Sequence, residues 1–212
     1  MPELVKPQLK RTASKDVRRQ QLIEATIESI AKRGLGDTTL THISKAAGLS
    51  QGIVNLHFNS KETLLIETLK YLRDEYQQAW SSALNKSADD PASQLAALLK
   101  ADYQASVANN KRLAVWFAFW GEAKSRPTYQ KICQDRVTEY TQVLQQILIR
   151  LIKVGQYSDI KLDELTEGIM AMADGLWLNI LISARKLKRA DAENIMMQYL
   201  AQTFPKHKGS FL

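Results

Sequence analysis

The segment Gly34-Leu-Gly-Asp-Thr-Thr-Leu-Thr-His-Ile-Ser-Lys-Ala-Ala-Gly-Leu-Ser-Gln-Gly-Ile-Val-Asn-Leu-His-Phe-Asn-Ser-Lys61 leaves its chain few options, because it spells two short helices around one tight turn. Thr39 is an N-cap for a first helix carrying Ile43, Ala46 and Ala47, whose alanines let a neighbouring helix approach closely. Gly48 supplies the left-handed residue that stops this helix. Ser50 stands ready to cap a second helix that turns Ile53, Val54 and Phe58 inward and leaves Gln51, Gly52, Asn55 and His57 outside. The pair reads as a helix-turn-helix, in which short polar side chains near the start of the second helix can reach base edges. A plain helical hairpin inside a helical core would use the same turn signals, so the flanking sequence must discriminate.

The flanks are helical too. Nine Gly and five Pro interrupt 212 residues that are 45% apolar, enough for a sizeable core, and no stretch shows the period-two patterning of strands. An all-α fold is expected: an N-terminal three-helix DNA-binding domain followed by a helical ligand-binding and dimerisation domain. A first helix over 15–32 carries Leu22, Ile23, Ile27 and Ile30 as an inward stripe. Ser60 caps a long helix through about Leu84, with Leu64, Leu65, Leu69, Leu72, Tyr76 and Trp80 on its buried face. Further helices are expected over 91–108, with Pro91 in the first turn, and over 110–124, 126–154, 161–186 and 189–203. The divisions are a basic arm over 1–14, the helix-turn-helix domain over 15–60, the second domain over 61–205 and a tail over 206–212.

The formal net charge of +7 favours an anionic partner, and its distribution says more. Residues 1–20 hold Lys6, Lys10, Arg11, Lys15, Arg18 and Arg19 against only Glu3 and Asp16. Such an arm suits the phosphate backbone or the minor groove, and equally suits a solvated tail. The single Cys133 excludes an internal disulfide and reads as a packed small hydrophobe. His42, His57 and His207 are scattered, so neither a metal site nor an acid-base pair is suggested. The apolar runs near 113–120 and 175–178 fall short of a membrane span, so a cytoplasmic, nucleoid-associated protein with no membrane partner is expected.

Residues 18–65 resemble the DNA-binding domain of the TetR family of bacterial repressors, from Arg18-Arg-Gln-Gln-Leu-Ile-Glu-Ala-Thr through His57-Phe-Asn-Ser-Lys-Glu-Thr-Leu-Leu65. The resemblance implies that the second helix of the motif enters the major groove. It further implies that Lys61 contacts phosphate and that Thr41 sits where the first motif helix nears the backbone. Many members carry two tyrosines before the His-Phe pair; Asn55 and Leu56 stand there instead, so operator preference does not transfer. The DNA-facing candidates are Thr39, Thr41, Ser50, Gln51, Gly52, Asn55, His57 and Lys61. Three further segments, Leu113-Ala-Val-Trp-Phe-Ala-Phe-Trp, Arg126-Pro-Thr-Tyr-Gln and Asp174-Gly-Leu-Trp-Leu, are similar to the family's choline-responsive repressors of glycine-betaine synthesis genes.

The aromatics of those segments are the ligand candidates. Trp116 and Trp120 share one helical face beside Phe119, and Trp177 stands three residues after Asp174. A quaternary ammonium has no N–H to donate, so aromatic faces with a carboxylate nearby suit it best. Tyr103 and Tyr129 are further wall candidates, and Asp174 or Glu122 the anion; plain core filling would use the same spacing. No cofactor is expected, only a small-molecule effector such as choline, with other hydrophobic cations or metabolites as alternatives and a small helical enzyme as a remote one. In 161–186, Leu165, Ile169, Met172, Leu176 and Ile180 form one apolar face and Met170, Ala173, Trp177 and Leu181 another. The second partner these faces require is either the rest of the monomer or, with Ile195, Met196, Tyr199 and Leu200, a two-fold homodimer reading a pseudo-palindromic duplex operator.

Overall fold

A computed structural model describes residues 15–183 and 187–212. Lys6, Lys10 and Arg11 of the basic arm lie outside these residues, as does the end of the helix expected to reach 186. The described residues form α1 (Lys15–Arg33), α2 (Leu40–Ala47), α3 (Gln51–Phe58), α4 (Lys61–Lys86), α5 (Pro91–Ala101), α6 (Asn110–Ala123), α7 (Pro127–Gly155), α8 (Leu162–Ile182) and α9 (Arg189–Thr203), then a 3₁₀ segment over Pro205–Ser210. No strand occurs among them.

Local chemistry accounts for several boundaries. Thr39 accepts a hydrogen bond from the His42 amide, Ser60 from Thr63, Asp90 from Ser93 and Asn109 from Arg112, so each satisfies an amide that its helix leaves without a partner. Gly48 ends α2 at φ 63°, where a side chain would be strained. Ser50 departs from expectation: its backbone is extended as at a cap, but its hydroxyl makes no capping bond, so it starts α3 by backbone geometry alone.

α1, α2 and α3 enclose a small core of Leu22, Ile23, Ile27, Ile30, Ile43, Val54 and Phe58. Burial of each large side chain contributes about 1.5–3 kcal/mol, which matters in a unit of this size. Polar ties add direction: Gln21 donates to the Ala47 carbonyl at 2.6 Å, fixing the end of α2 against α1. α4 leaves this unit and packs on α5 and α7, while α6 lies across α1 and also packs against α7 and α8.

Two elements differ from their sequence signals. α5 stops at Ala101 rather than 108, and the turns that follow bury Asp102, Tyr103, Val107 and Ala108. α8 is, by length and composition, apolar enough to cross a bilayer, contrary to expectation. It buries Leu165, Ile169, Ala173, Leu176 and Trp177 within the subunit and carries Asp174 toward α7, which is the behaviour of a packing helix. Met196 and Leu200 are also wholly buried inside the subunit, contrary to their expected place in a partner interface, whereas Ile195, Leu178 and Ile182 (66% exposed) face outward and Tyr199, Met172 and Ile180 are half-buried.

Residues 206–212 pack against the body: Phe204 and Phe211 are buried, and Lys206 Nζ donates to the Gly155 carbonyl at 2.6 Å. The Tyr157 hydroxyl is held by His207 Nδ1 and the Lys206 amide, both at 3.0 Å, and a Cβ on Gly155 would overlap its ring. Gly155→Ala is therefore expected to cost about 1–3 kcal/mol by overpacking, read as a lower Cm in urea melts. Unchanged stability would show that the C-terminal segment is not seated as described.

Candidate functional site

The chain presents two sites, one at α3 and the start of α4, the other midway along α4 and α6. At the first, Val54 and Phe58, four residues apart, anchor α3 to the core, which turns Gln51, Gly52, Asn55 and Leu56 to solvent. His57 lies half-buried beside Phe58, with Nδ1 unpartnered. Thr39, Thr41 and Ser50 are exposed, and Lys61 is half-exposed in the first turn of α4. Nothing in the protein requires a glycine at position 52, where an added Cβ would meet only Ser50 Oγ at 3.8 Å. Leu56, 73% exposed, is an addition to the outward face that sequence reading passed over as a lost tyrosine. Arg19, grouped with the basic arm, stands over the Phe58 ring at 4.5 Å and pairs with Glu67, so it braces α3 rather than facing outward.

The second site lies where α4, α6, α7 and α8 meet. Tyr76 from α4, Trp116 and Trp120 from α6, and Trp177 from α8 surround one point, with Trp120 and Trp177 stacked 6.4 Å apart and Trp177 edge-on to Tyr76 at 5.6 Å. At that point is the guanidinium of Arg136 from α7. Its central carbon is 4.9, 5.1, 5.3 and 5.6 Å from the centroids of Tyr76, Trp116, Trp120 and Trp177. The side chain is 4% exposed, and its nearest ion-pair oxygen, Asp174 Oδ1, is 3.9 Å away. Burial raises the Asp174 pKa, and Arg136 pulls against that rise.

A polar layer lies behind the rings. The Asp102 carboxylate accepts from Tyr76 Oη at 2.8 Å and Tyr140 Oη at 3.0 Å, while its carbonyl accepts from Trp177 Nε1 at 2.9 Å. Burial pushes the Asp102 carboxyl up from 3.8 to about 7, although both tyrosine hydroxyls and Arg136 pull it down. In front of the rings, a cavity of about 370 Å³ includes Trp120, Cys133, Val137 and Asp174 among its walls.

Trp116, Trp120, Trp177 and Asp174 are thus together; spacing within each helix paired Trp116 with Trp120 and Asp174 with Trp177, and the packing of α6 on α8 joins the pairs. Phe119 and Tyr129 are not among these rings: they pack edge-to-face on each other at 5.0 Å, with Arg126 over Tyr129 at 5.4 Å. Glu122 pairs with Arg126. Tyr103 is buried, with its hydroxyl unpartnered, and its carbonyl accepts from Arg189. Arg136, Asp102 and Tyr140 carry no local mark in the sequence, and the helical period of α4 marks Tyr76 only as a buried residue.

Arg112, one turn before Trp116, joins the two sites. Its guanidinium donates to both oxygens of Glu24 on α1, at 3.0 and 3.1 Å, and to both of Glu75 on α4, at 2.8 and 3.0 Å. Burial pushes the Glu24 carboxyl up, but the bonds and charge of Arg112, with Tyr71 and Gln20, outweigh this and hold it below its usual value. Lys111 adds a weaker pair to Glu28 at 3.4 Å.

A three-helix unit presenting a short helix, rigidly tied to a helical domain with an aromatic site, defines a ligand-responsive DNA-binding regulator. Residues 22–68 match the bacterial regulatory proteins of the tetR family, and residues 91–205 match the C-terminal domain of BetI-type transcriptional repressors. The chain belongs to the tetR family, in its BetI-type branch, and is a transcriptional repressor and not an enzyme. The HTH-type transcriptional regulator BetI of Serratia proteamaculans (strain 568) is 29% identical over 193 residues, covering 87% of this chain and 91% of that one. Its namesake from Pseudomonas aeruginosa (strain LESB58) is 28% identical over 194 residues, covering 91% and 96%. Among solved structures, a protein of Saccharomonospora viridis in complex with choline superposes with a TM-score of 0.76 at 22% identity, covering 87% of this chain and 96% of that one.

The raised Asp102 carboxyl makes a prediction about stability. The unfolded chain loses this proton near 3.8 and the native protein near 7. The contribution is therefore fully present below the unfolded value and is lost as pH rises through the folded one. Urea melts of Asp102→Asn should show a shallower fall in stability between about pH 4 and 7, by up to one proton, with Asp174 unchanged in both proteins. An identical pH slope would contradict the assignment.

Proposed function

We propose that this repressor works as a homodimer that reads a pseudo-palindromic operator with two copies of α3 and releases it on binding choline or a related quaternary ammonium compound. The observation that carries the effector class is the set of four aromatic rings arranged around a positive charge beside Asp174. The choline complex of the Saccharomonospora viridis protein points the same way. The regulated genes are then those of glycine-betaine synthesis or transport, and the site of action is the bacterial cytoplasm, at the nucleoid.

In this reading Gln51, Gly52 and Asn55 meet base edges, with Gly52 allowing close approach, and Leu56 packs on an apolar edge such as a thymine methyl. Thr39, Thr41, Ser50, His57 and Lys61 contact or border the backbone. The exposed Leu178, Ile182 and Ile195 of α8 and α9 form the two-fold contact that spaces the recognition helices. A change at the rings moves α6 and α4 together, because Arg112, Trp116 and Trp120 repeat at four-residue intervals and Glu75 adjoins Tyr76. The Arg112 ion triad then transfers that movement to α1. An effector works only if it binds the released conformation better than the operator-bound one.

Lys61→Ala should weaken operator and random duplex alike and lower the salt slope by about one, whereas Asn55→Ala should cost about 1–3 kcal/mol on the operator and little on random DNA. Equal losses on both duplexes for both variants, measured by fluorescence anisotropy, would contradict the division of roles.

Calorimetry with choline, betaine aldehyde and a bulky aromatic cation tests the effector class; an active DNA-binding dimer that ignores choline would reject it. In Arg112→Met, choline should bind within about threefold of wild type while operator release is blunted, since the ligand then loses its differential hold on α1. Normal release by that variant would remove Arg112 from the coupling.

A further inference from the structure

The position that an ammonium ligand would take is already filled by the chain itself. Arg136 puts its guanidinium within 4.9–5.6 Å of four ring centroids, the geometry of a bound cation. A guanidinium is built to give its donors to acceptors, yet here Nε and Nη2 have no hydrogen-bond partner, and Asp174 Oδ1 at 3.9 Å is beyond hydrogen-bond reach. The side chain therefore sits in a site that satisfies its charge but not its hydrogen bonds. A quaternary ammonium has the charge and no donors to leave unpaired, so the site is better matched to that chemistry than to its present occupant.

Two cations cannot share these rings, because they would repel at short range where little water screens them. Exchange has a route, since the cavity of about 370 Å³ shares Trp120 and Asp174 with the site and is flanked by Cys133 and Val137 on the same helix as Arg136. A guanidinium moved there stays near Asp174 and gains solvent for its unpaired donors.

We propose that Arg136 is a tethered competitor of the effector: it fills the aromatic site in the ligand-free repressor, and a quaternary ammonium binds by displacing its guanidinium toward the cavity. This rests on the quaternary-ammonium reading above. Apparent affinity is then the intrinsic affinity reduced by the fraction of molecules whose site is vacated, so Arg136 sets the effector concentration at which the repressor responds.

Choline titrations of wild type, Arg136→Met and Arg136→Lys by calorimetry provide the test. Arg136→Met, which removes the charge and keeps an apolar stem, should bind choline at least about tenfold more tightly, with Arg136→Lys remaining near wild type. Equal or weaker binding by Arg136→Met, with wild type binding normally, overturns the displacement and leaves the effector class standing. Binding by neither protein rejects the quaternary-ammonium reading and this inference with it.

An NMR measurement on the wild type removes dependence on the methionine variant folding. The Arg136 Nε–H resonance, identified by its absence in Arg136→Lys, should lie strongly upfield under four ring currents and return toward the ordinary arginine position at choline saturation. A resonance that stays shifted at saturation overturns the proposal.

Discussion

A positive charge held away from water has to be compensated, and in this protein that charge is the guanidinium of Arg136. Rings from α4, α6 and α8 converge on the guanidinium delivered by α7, so four helices are committed to one point. Behind them, Asp102 accepts from two tyrosine hydroxyls and one indole N–H, which orients Tyr76 and Trp177 of the ring set. The compensation is incomplete, because two guanidinium nitrogens lack acceptors. That deficit is the basis of the exchange proposed for Arg136.

The same convergence explains how a small ligand could influence a helix far from it. α6 carries Arg112 one turn before Trp116 and two turns before Trp120, and α4 carries Tyr76 beside Glu75. A helix transmits displacement along its length because its backbone hydrogen bonds resist compression. Arg112, paired in two directions, gives the first domain a connection that is bidentate on both sides and therefore specific in direction. By contrast, the Lys111–Glu28 pair is exposed on both partners and contributes little to rigidity.

At the DNA-facing end the requirement is rigidity in a helix of only two turns, too short to be stable alone. Val54 and Phe58 anchor it from below and Arg19 closes over Phe58. The outward residues are therefore held by a packed core and do not depend on a capping bond from Ser50.

Much of this was legible in the residues themselves. The caps at Thr39 and Ser60, the left-handed turn at Gly48 and the inward stripe of α1 are local devices, written within a few residues of the structure they produce. The spacing of Trp116 and Trp120 and the neighbourhood of Asp174 and Trp177 were equally readable, because residues four apart share a helical face whatever surrounds them. Tertiary structure alone decided that Arg136 lies at the centre of those rings. It also decided that α5 ends at Asp102 with no Gly or Pro to stop it, that Phe119 and Tyr129 pair with each other, and that Met196 and Leu200 turn into their own subunit. The reason is one of range. Backbone hydrogen bonds and helical period are set by near neighbours, whereas the burial of a charge depends on side chains from four helices that no local pattern brings together.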